Sequence, residues 1–300
     1  MVYQQGLPQG FSQTFSQQHT IITGGSSGIG KATALLLAQA GARITLIGRH
    51  PEKLAGAKAE ITATLGAKSG SSSTPSQVLT LAADVADRSQ AEQAIKTAID
   101  QLGVPDLLIT SAGMAHPGHF QDLPIEIFEQ TMAVNYFGSL YCIRAVLPSM
   151  VTRHQGDLVM ISSGVGLIGI YGYTPYSPTK FALRGLAESL RGELKPLGIG
   201  VAIVYPPDTQ TPQLEAENLT KPLATQQITA TAKTWQPEAI AHEILRGIQR
   251  RQFTITPGLE MSLLNRFQSL LAPGLQWYFD RITAKALRVR HSSDQENHQI

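Results

Sequence analysis

The 300-residue chain has one cysteine, few charges and no long apolar run. A single thiol excludes an internal disulfide framework and a cysteine-rich zinc site, and Cys142 reads as a small buried apolar residue. Charged residues make up 15%, well below the ~25% usual in globular proteins. Lys and Arg number 24 against 22 Asp and Glu, a formal net charge of +2. That near-balance leaves no electrostatic footprint for nucleic acid, so no nucleic-acid partner is expected. No stretch approaches the ~18 apolar residues of a membrane-spanning helix. Met1 to His19 is polar and rich in Gln and Ser, without the basic start and apolar core of a secretory signal. The expected location is therefore cytoplasmic. What the chain does have is a hydrophobic share of 42%, enough for a large folded core.

The charge is unevenly spread. Residues 1–242 carry 16 Lys and Arg against 17 Asp and Glu, whereas residues 243–300 carry 8 against 5. The basic excess lies in the last fifth of the chain.

Strand-like and helix-like segments alternate through the body. Strands are expected at His19–Thr23, Arg43–Ile47, Val78–Leu81, Asp106–Thr110, Asp157–Ile161 and Ile199–Val204, with a seventh at Phe253–Thr256. Helices are expected between them, including one long helix from Pro124 to Met150 and another from Tyr176 to Leu197. Short buried-type strands alternating with helices predict βαβ units and a parallel α/β sheet covered on both faces. Gly66 to Gln77 is serine-rich and reads as a polar surface insertion without an assigned function.

Gly24-x3-Gly28-x-Gly30 follows the first strand and opens a helix. Glycines in that context allow a tight turn and a close approach of backbone to a pyrophosphate, whose charge the helix N-terminus stabilises. Ser26 and Ser27 add hydroxyl donors. An NAD site usually places an acid at the end of the second strand, about 20 residues on, to bond the ribose 2′-OH. Here Gly48 is followed by Arg49, with Lys53 one turn on. Two cations and no acid favour a 2′-phosphate, hence NADPH/NADP+.

Tyr176-Ser-Pro-Thr-Lys180 places a phenol and an ammonium at i and i+4, on one helix face. A Lys⁺ beside a phenol is expected to lower its pKa toward neutrality. Ser163, at the end of the fifth strand, can hydrogen-bond a substrate carbonyl.

With these positions the chain resembles the short-chain dehydrogenase/reductase family. The matching positions are Thr23-Gly24-x3-Gly28-x-Gly30, Asp84-Val85, Ala112-Gly113, Asn135-x2-Gly138, Ser163, Tyr176-x3-Lys180 and Pro206 with Thr211. The resemblance implies a Rossmann-type, doubly wound fold with a seven-stranded parallel sheet. It makes Tyr176 the general acid/base, Lys180 its partner and a holder of the nicotinamide ribose, Ser163 the carbonyl-orienting group and Asn135 a support for proton relay. It adds Ile29, Asp84, Val85, Ala112, Gly113, Pro206, Thr209 and Thr211 to the cofactor contacts. Three departures stand out: Thr110-Ser111 where the family has Asn-Asn, Pro207 where it has Gly, and Pro178 inside the Tyr–Lys motif. A proline is tolerated in the first helical turn, and none of the three removes a catalytic group.

Within that family, Tyr205-Pro-Pro-Asp-Thr-Gln-Thr-Pro212 and Glu217-Asn-x-Thr-Lys-Pro-Leu223 are similar to a branch of 3-ketodihydrosphingosine reductases. This similarity implies NADPH-dependent reduction of a hydrophobic long-chain ketone. Alternatives are another hydrophobic ketone or alcohol, or an NADP(H)-binding sensor without catalysis. A homodimer or homotetramer pairing through the two long helices is expected by the same resemblance. His116 and His119 have no further ligand near them in sequence, so no metal is expected.

The expected boundaries are a polar segment at 1–18, the catalytic domain at 19–256, an amphipathic helical extension at 257–291 and a polar tail at 292–300. In the extension Leu263, Leu264, Phe267, Leu270 and Leu271 share a face, Pro273-Gly274 is expected to break the helix, and a second stripe follows with Arg281, Lys285, Arg288 and Arg290. Residues 259–290 read equally as a peripheral membrane contact or as a lid or dimer contact.

Overall fold

β-Branched, apolar runs form the centre of the molecule because a strand covered on both faces must be apolar on both. In the computed structural model, residues 10–66, 77–230 and 233–297 are described, with residues 289–297 by backbone alone. The elements run α1 (Phe11–Phe15), β1 (His19–Thr23), α2 (Gly28–Gln39), β2 (Arg43–Gly48), α3 (Pro51–Gly66), β3 (Val78–Ala82), α4 (Arg88–Leu102) and β4 (Leu107–Thr110). They continue through α5 (Ile125–Met132), α6 (Gly138–Arg153), β5 (Gly156–Ile161), α7 (Ser177–Leu194), β6 (Ile199–Val204), α8 (Pro212–Asn218), α9 (Leu223–Thr229), α10 (Pro237–Gln249), β7 (Thr254–Ile255) and α11 (Leu259–Asn297).

The seven strands lie in the order β3-β2-β1-β4-β5-β6-β7, and every pairing is parallel. The chain starts at β1, builds outward to β3, then crosses back to β4. Strand order therefore reverses between β1 and β4, and a crevice opens beyond their carboxyl ends. Successive residues feed opposite faces: Ile22, Ile44 and Leu46 join the core beneath α1, α2, α3 and α10, while Ile21 and Ile47 join the core beneath α4, α6 and α7. Cys142 is fully buried in the second core. Burial pushes its thiol up to about 12, as befits a residue kept for packing.

Several expectations need correction. The segment before β1 is not merely polar: α1 buries Phe11 and Phe15 against the α2–α10 side of the core. The long helix expected from Pro124 to Met150 is interrupted by a π-helical stretch, Ala133–Phe137, between α5 and α6. One inserted residue changes the hydrogen-bond ladder without disturbing the apolar spacing that sequence periodicity detects. Two short helices, α8 and α9, occupy a stretch that carries no strong apolar period. The serine-rich insertion lies outside the described residues from 67 to 76.

Nor does Pro273-Gly274 end the last helix. α11 continues to Asn297, through most of the expected tail, and bends at Phe267, whose φ of −116° and ψ of 20° leave helical values. A proline inside a helix forfeits one i→i−4 hydrogen bond, and here the turns on either side carry the helix through. The first turns dock on the body: Leu264 packs on the core, and Arg184 donates to Gln268 Oε1 at 2.7 Å. Leu270 and Trp277 beyond them are 79% and 59% exposed. No helix among the described residues is long and apolar enough to cross a membrane.

Candidate active site

The crevice at the switch point is one continuous cleft, lined from Gly24 and Arg49 at one end to Tyr176 and Glu217 at the other. The glycine turn begins where β1 ends. Gly24 has φ +67°, and a Cβ there would lie 2.7 Å from the backbone N of Ala112. A Cβ on Gly30 would lie 2.5 Å from the Gly24 carbonyl oxygen. Only glycine fits at either position. Thr23 closes the turn from behind: its Oγ1 accepts from the N–H groups of Ser111 and Ala112, both at 3.1 Å. This hydroxyl fixes the β4 loop that carries Thr110-Ser111 in place of the family's Asn-Asn.

Gly24, Ser26, Ser27, Gly28 and Ile29 line the cleft, whereas Gly30 sits under the turn and lets the chain pass. Ser27 is the N-cap of α2 and its side chain makes no cap hydrogen bond, so the first N–H groups of the helix face the cleft without a side-chain acceptor. This is the donor set an anionic pyrophosphate needs. Gly48 brings β2 to the cleft without a side chain. Exposed Arg49 and Lys53 stand beside it, joined by His50, which the sequence reading did not single out. Glu52 is turned toward His50, 3.6 Å away, and does not line the cleft. Glycine backbone, a free helix N-terminus and two cations fit a dinucleotide bearing a 2′-phosphate.

Further along, Asp84 Oδ1 accepts from the Ala86 N–H at 3.0 Å, which turns the chain after β3 so that Asp84 and Val85 line the wall. Val85 leaves no room for a side chain at Gly138, where a Cβ would meet its Cγ2 at 2.7 Å. Ala112, Gly113, Pro206, Thr209 and Thr211 line the same wall. Thr211 also caps α8, accepting from the Leu214 N–H.

Asn135 sits in the π-helical stretch and does not line the cleft. It is fully buried; its Oδ1 accepts from the Met114 N–H at 2.8 Å, and its Nδ2 donates to the Met114 carbonyl and to Thr179 Oγ1, each at 3.0 Å. Its side chain thus ties the β4 loop to α7.

The side chains expected to be catalytic stand at the start of α7 and just after β5. Tyr176 is the residue before α7 and Pro178 falls in its first turn, where its missing N–H has no helical partner. Lys180 Nζ donates to the Ile161 carbonyl at 3.0 Å and lies 5.3 Å from the Tyr176 ring centre. Both groups are buried. Burial lowers the Lys180 ammonium from 10.5 to about 8, with Glu217 opposing. Tyr176 corrects the sequence expectation of a lowered phenol. Burial and then the Glu217 carboxylate raise its pKa above the usual tyrosine value, and hydrogen bonds to Gln213 and Ser163 lower it only in part. Desolvation of the phenolate outweighs the Gln213 and Ser163 contributions that lower it. The phenol therefore holds its proton at neutral pH, which is the state a proton donor needs.

Tyr173, Asp208, Gln213 and Glu217, at the catalytic end of the cleft, also had no assigned role in the sequence. Tyr173 donates to Glu217 Oε2 at 2.6 Å, and Gln213 Nε2 donates to Glu217 Oε1 at 2.9 Å. Asp208 and Glu217 fall in the two branch-like runs, whereas Tyr173 and Gln213 lie outside them. Their convergence on Tyr176 depends on how α8 folds over the cleft.

Comparison with known proteins fits this geometry. The family described as short chain dehydrogenase matches residues 18–222. The chain is 43% identical over 256 residues to a 3-ketodihydrosphingosine reductase of Bos taurus, covering 85% of this chain and 75% of the relative. It is 42% identical, with the same coverage, to a 3-dehydrosphinganine reductase of Danio rerio. Among solved structures, a short-chain dehydrogenase from Sphingobium yanoikuyae in complex with NADPH superimposes with a TM-score of 0.71. That structure is 26% identical, and the match covers 84% of this chain and 92% of that one. From the glycine turn to the Tyr–Lys pair, fold, site and similarity agree: the chain belongs to the short-chain dehydrogenase family.

Proposed function

We propose that the protein reduces the 3-keto group of 3-ketodihydrosphingosine to the secondary alcohol, with NADPH as reductant. The observation that carries the chemistry is the buried Tyr176, which lines the cleft with Ser163 and Gln213 and has Lys180 Nζ 5.3 Å from its ring centre. The names of the relatives carry the substrate. Bound at the glycine turn and Arg49, the reduced dinucleotide supplies the hydride.

The protein's own groups do the rest. Ser163 and Tyr176 hydrogen-bond the ketone oxygen and fix the carbonyl face. As hydride adds to the carbonyl carbon, the C=O π pair moves to oxygen, which takes the Tyr176 proton. Charge develops on that oxygen only in the transition state, where donors already in place act most strongly. Lys180 stabilises the resulting phenolate. The π-helical stretch at Asn135 holds the Met114 backbone and Thr179 in register, and Asn135 supports return of the proton to Tyr176.

A second reading concerns α11. Its exposed Leu270, Leu271, Trp277 and Tyr278, with Arg281 stacked 4.6 Å over Trp277, suit a lipid interface near a site that takes a lipid ketone. One experiment tests both readings: incubation with NADPH and anionic phosphatidylserine-containing vesicles bearing 3-ketodihydrosphingosine. Oxidation of NADPH and co-sedimentation with the vesicles are expected. Oxidation with other ketones only would overturn the substrate assignment. Protein left in the supernatant would overturn the lipid contact and leave α11 as a lid or a contact between subunits.

A further inference from the structure

Glu217 is a buried carboxylate that the reduction itself does not require. It is 7% exposed, lines the cleft at the catalytic end and lies near the C-terminus of α8. That end of a helix disfavours negative charge, and burying a carboxylate is costly unless it is paired. Two neutral donors, Tyr173 and Gln213, hold one oxygen each at 2.6 and 2.9 Å. Among the described residues no cation lies within 4.0 Å of it. Lys180 donates to the Ile161 carbonyl and reaches Glu217 only through its charge, and Lys221 acts electrostatically on Asp208. A carboxylate has acceptor sites for about four hydrogen bonds, so Glu217 keeps capacity for a cationic ligand.

Its position relative to the reaction is set by a short chain of contacts. Gln213 donates to Glu217 and also acts on the Tyr176 phenol, whose pKa it lowers, so the carboxylate stands one side chain away from the group that protonates the ketone. A 3-keto sphingoid base carries its ammonium on the carbon adjacent to the ketone. When the ketone oxygen meets Tyr176, that ammonium must fall within a few ångströms of it, on the Gln213–Glu217 side or the opposite one. The first side offers Glu217, the more deeply buried of the two carboxylates, Glu217 and Asp208, that line this end of the cleft.

We propose that Glu217 is the counter-ion for the substrate's α-ammonium, held by Tyr173 and Gln213, and that it selects 2-amino ketones over plain long-chain ketones. This rests on the sphingoid reading above and deepens it. A dry carboxylate aimed at an ammonium discriminates strongly, because an analogue lacking the charge leaves it buried and unmatched.

The test measures kcat/KM with NADPH for 3-ketodihydrosphingosine, its uncharged N-acetyl derivative and octadecan-3-one. The wild-type protein is expected to favour the amino ketone over each neutral analogue by about 100-fold. Glu217→Gln is expected to collapse that preference to within a few-fold, and Glu217→Asp, which keeps the charge, to retain more of it. NADPH binding followed by fluorescence confirms that each variant is folded. A preference unchanged in Glu217→Gln, or equal losses for charged and neutral ketones, overturns the proposal. Equal turnover of the amino ketone and its N-acetyl derivative by the wild-type protein overturns it without any variant. Wild-type turnover of octadecan-3-one with none of the amino ketone removes the sphingoid reading itself, and this proposal with it.

Discussion

At the end of the cleft proposed to hold the phosphates the lining is mostly backbone: glycines that admit no Cβ and the free N–H groups of α2, with exposed Arg49 and Lys53 beside them. At the catalytic end nearly every polar group is a buried or half-buried side chain, and Tyr173, Tyr176, Lys180, Asp208 and Glu217 lie close enough to act on one another's ionisation. One end grips a ligand of fixed chemistry with fixed dipoles. The other sets proton affinities by desolvation, where a single side chain changes the outcome.

The contrast can be broken first at Tyr176. Tyr176→Phe removes the proton donor while leaving the glycine turn intact, so kcat should fall about 10³-fold with NADPH affinity nearly unchanged, as read by stopped-flow turnover and fluorescence titration. Retained turnover would place the donor elsewhere. The reverse substitution is Arg49→Ala. Loss of one charge-assisted contact to the 2′-phosphate should raise the KM for NADPH about 10- to 100-fold and leave kcat and the KM for NADH little changed. Equal loss with both dinucleotides would remove Arg49 from phosphate recognition. The smallest effect is in pH. Lys180 is depressed to about 8, so its charge, and the part of catalysis that depends on it, is present below that value and lost above it. kcat/KM, which reports the free protein, should bend downward near pH 8. A flat profile to pH 10 would show that the buried ammonium is not required.

Much of this contrast was legible in the sequence, and unevenly so. The phosphate end announces itself because its requirements are local: Gly24, Gly28 and Gly30 answer to turn geometry, and Arg49 to the end of one strand. Ser163, Tyr176 and Lys180 were readable as residue types at fixed spacing, but the direction of the Tyr176 shift was not, since burial is a property of the assembled cleft. Glu217 opens a branch-like run but carries no local sign of a role; only the folding of α8 across the cleft brings it and Gln213 to Tyr173 and Tyr176. The π-helical stretch at Asn135 and the passage of α11 through Pro273 escaped for a different reason. Both alter the hydrogen-bond ladder of a helix while its apolar spacing stays intact.

The pair Phe11 and Phe15 has a consequence for how the chain is made. α1 packs on the far side of the sheet against α10, with the Phe11 ring 6.4 Å from that of His242. These two aromatic anchors precede β1, and the helix that completes their seat follows some 230 residues later. Until α10 is made that seat is incomplete, and docking α1 joins segments at opposite ends of the Rossmann body in one late, long-range step. The segment before β1 thus serves as a latch that closes only on a nearly finished body.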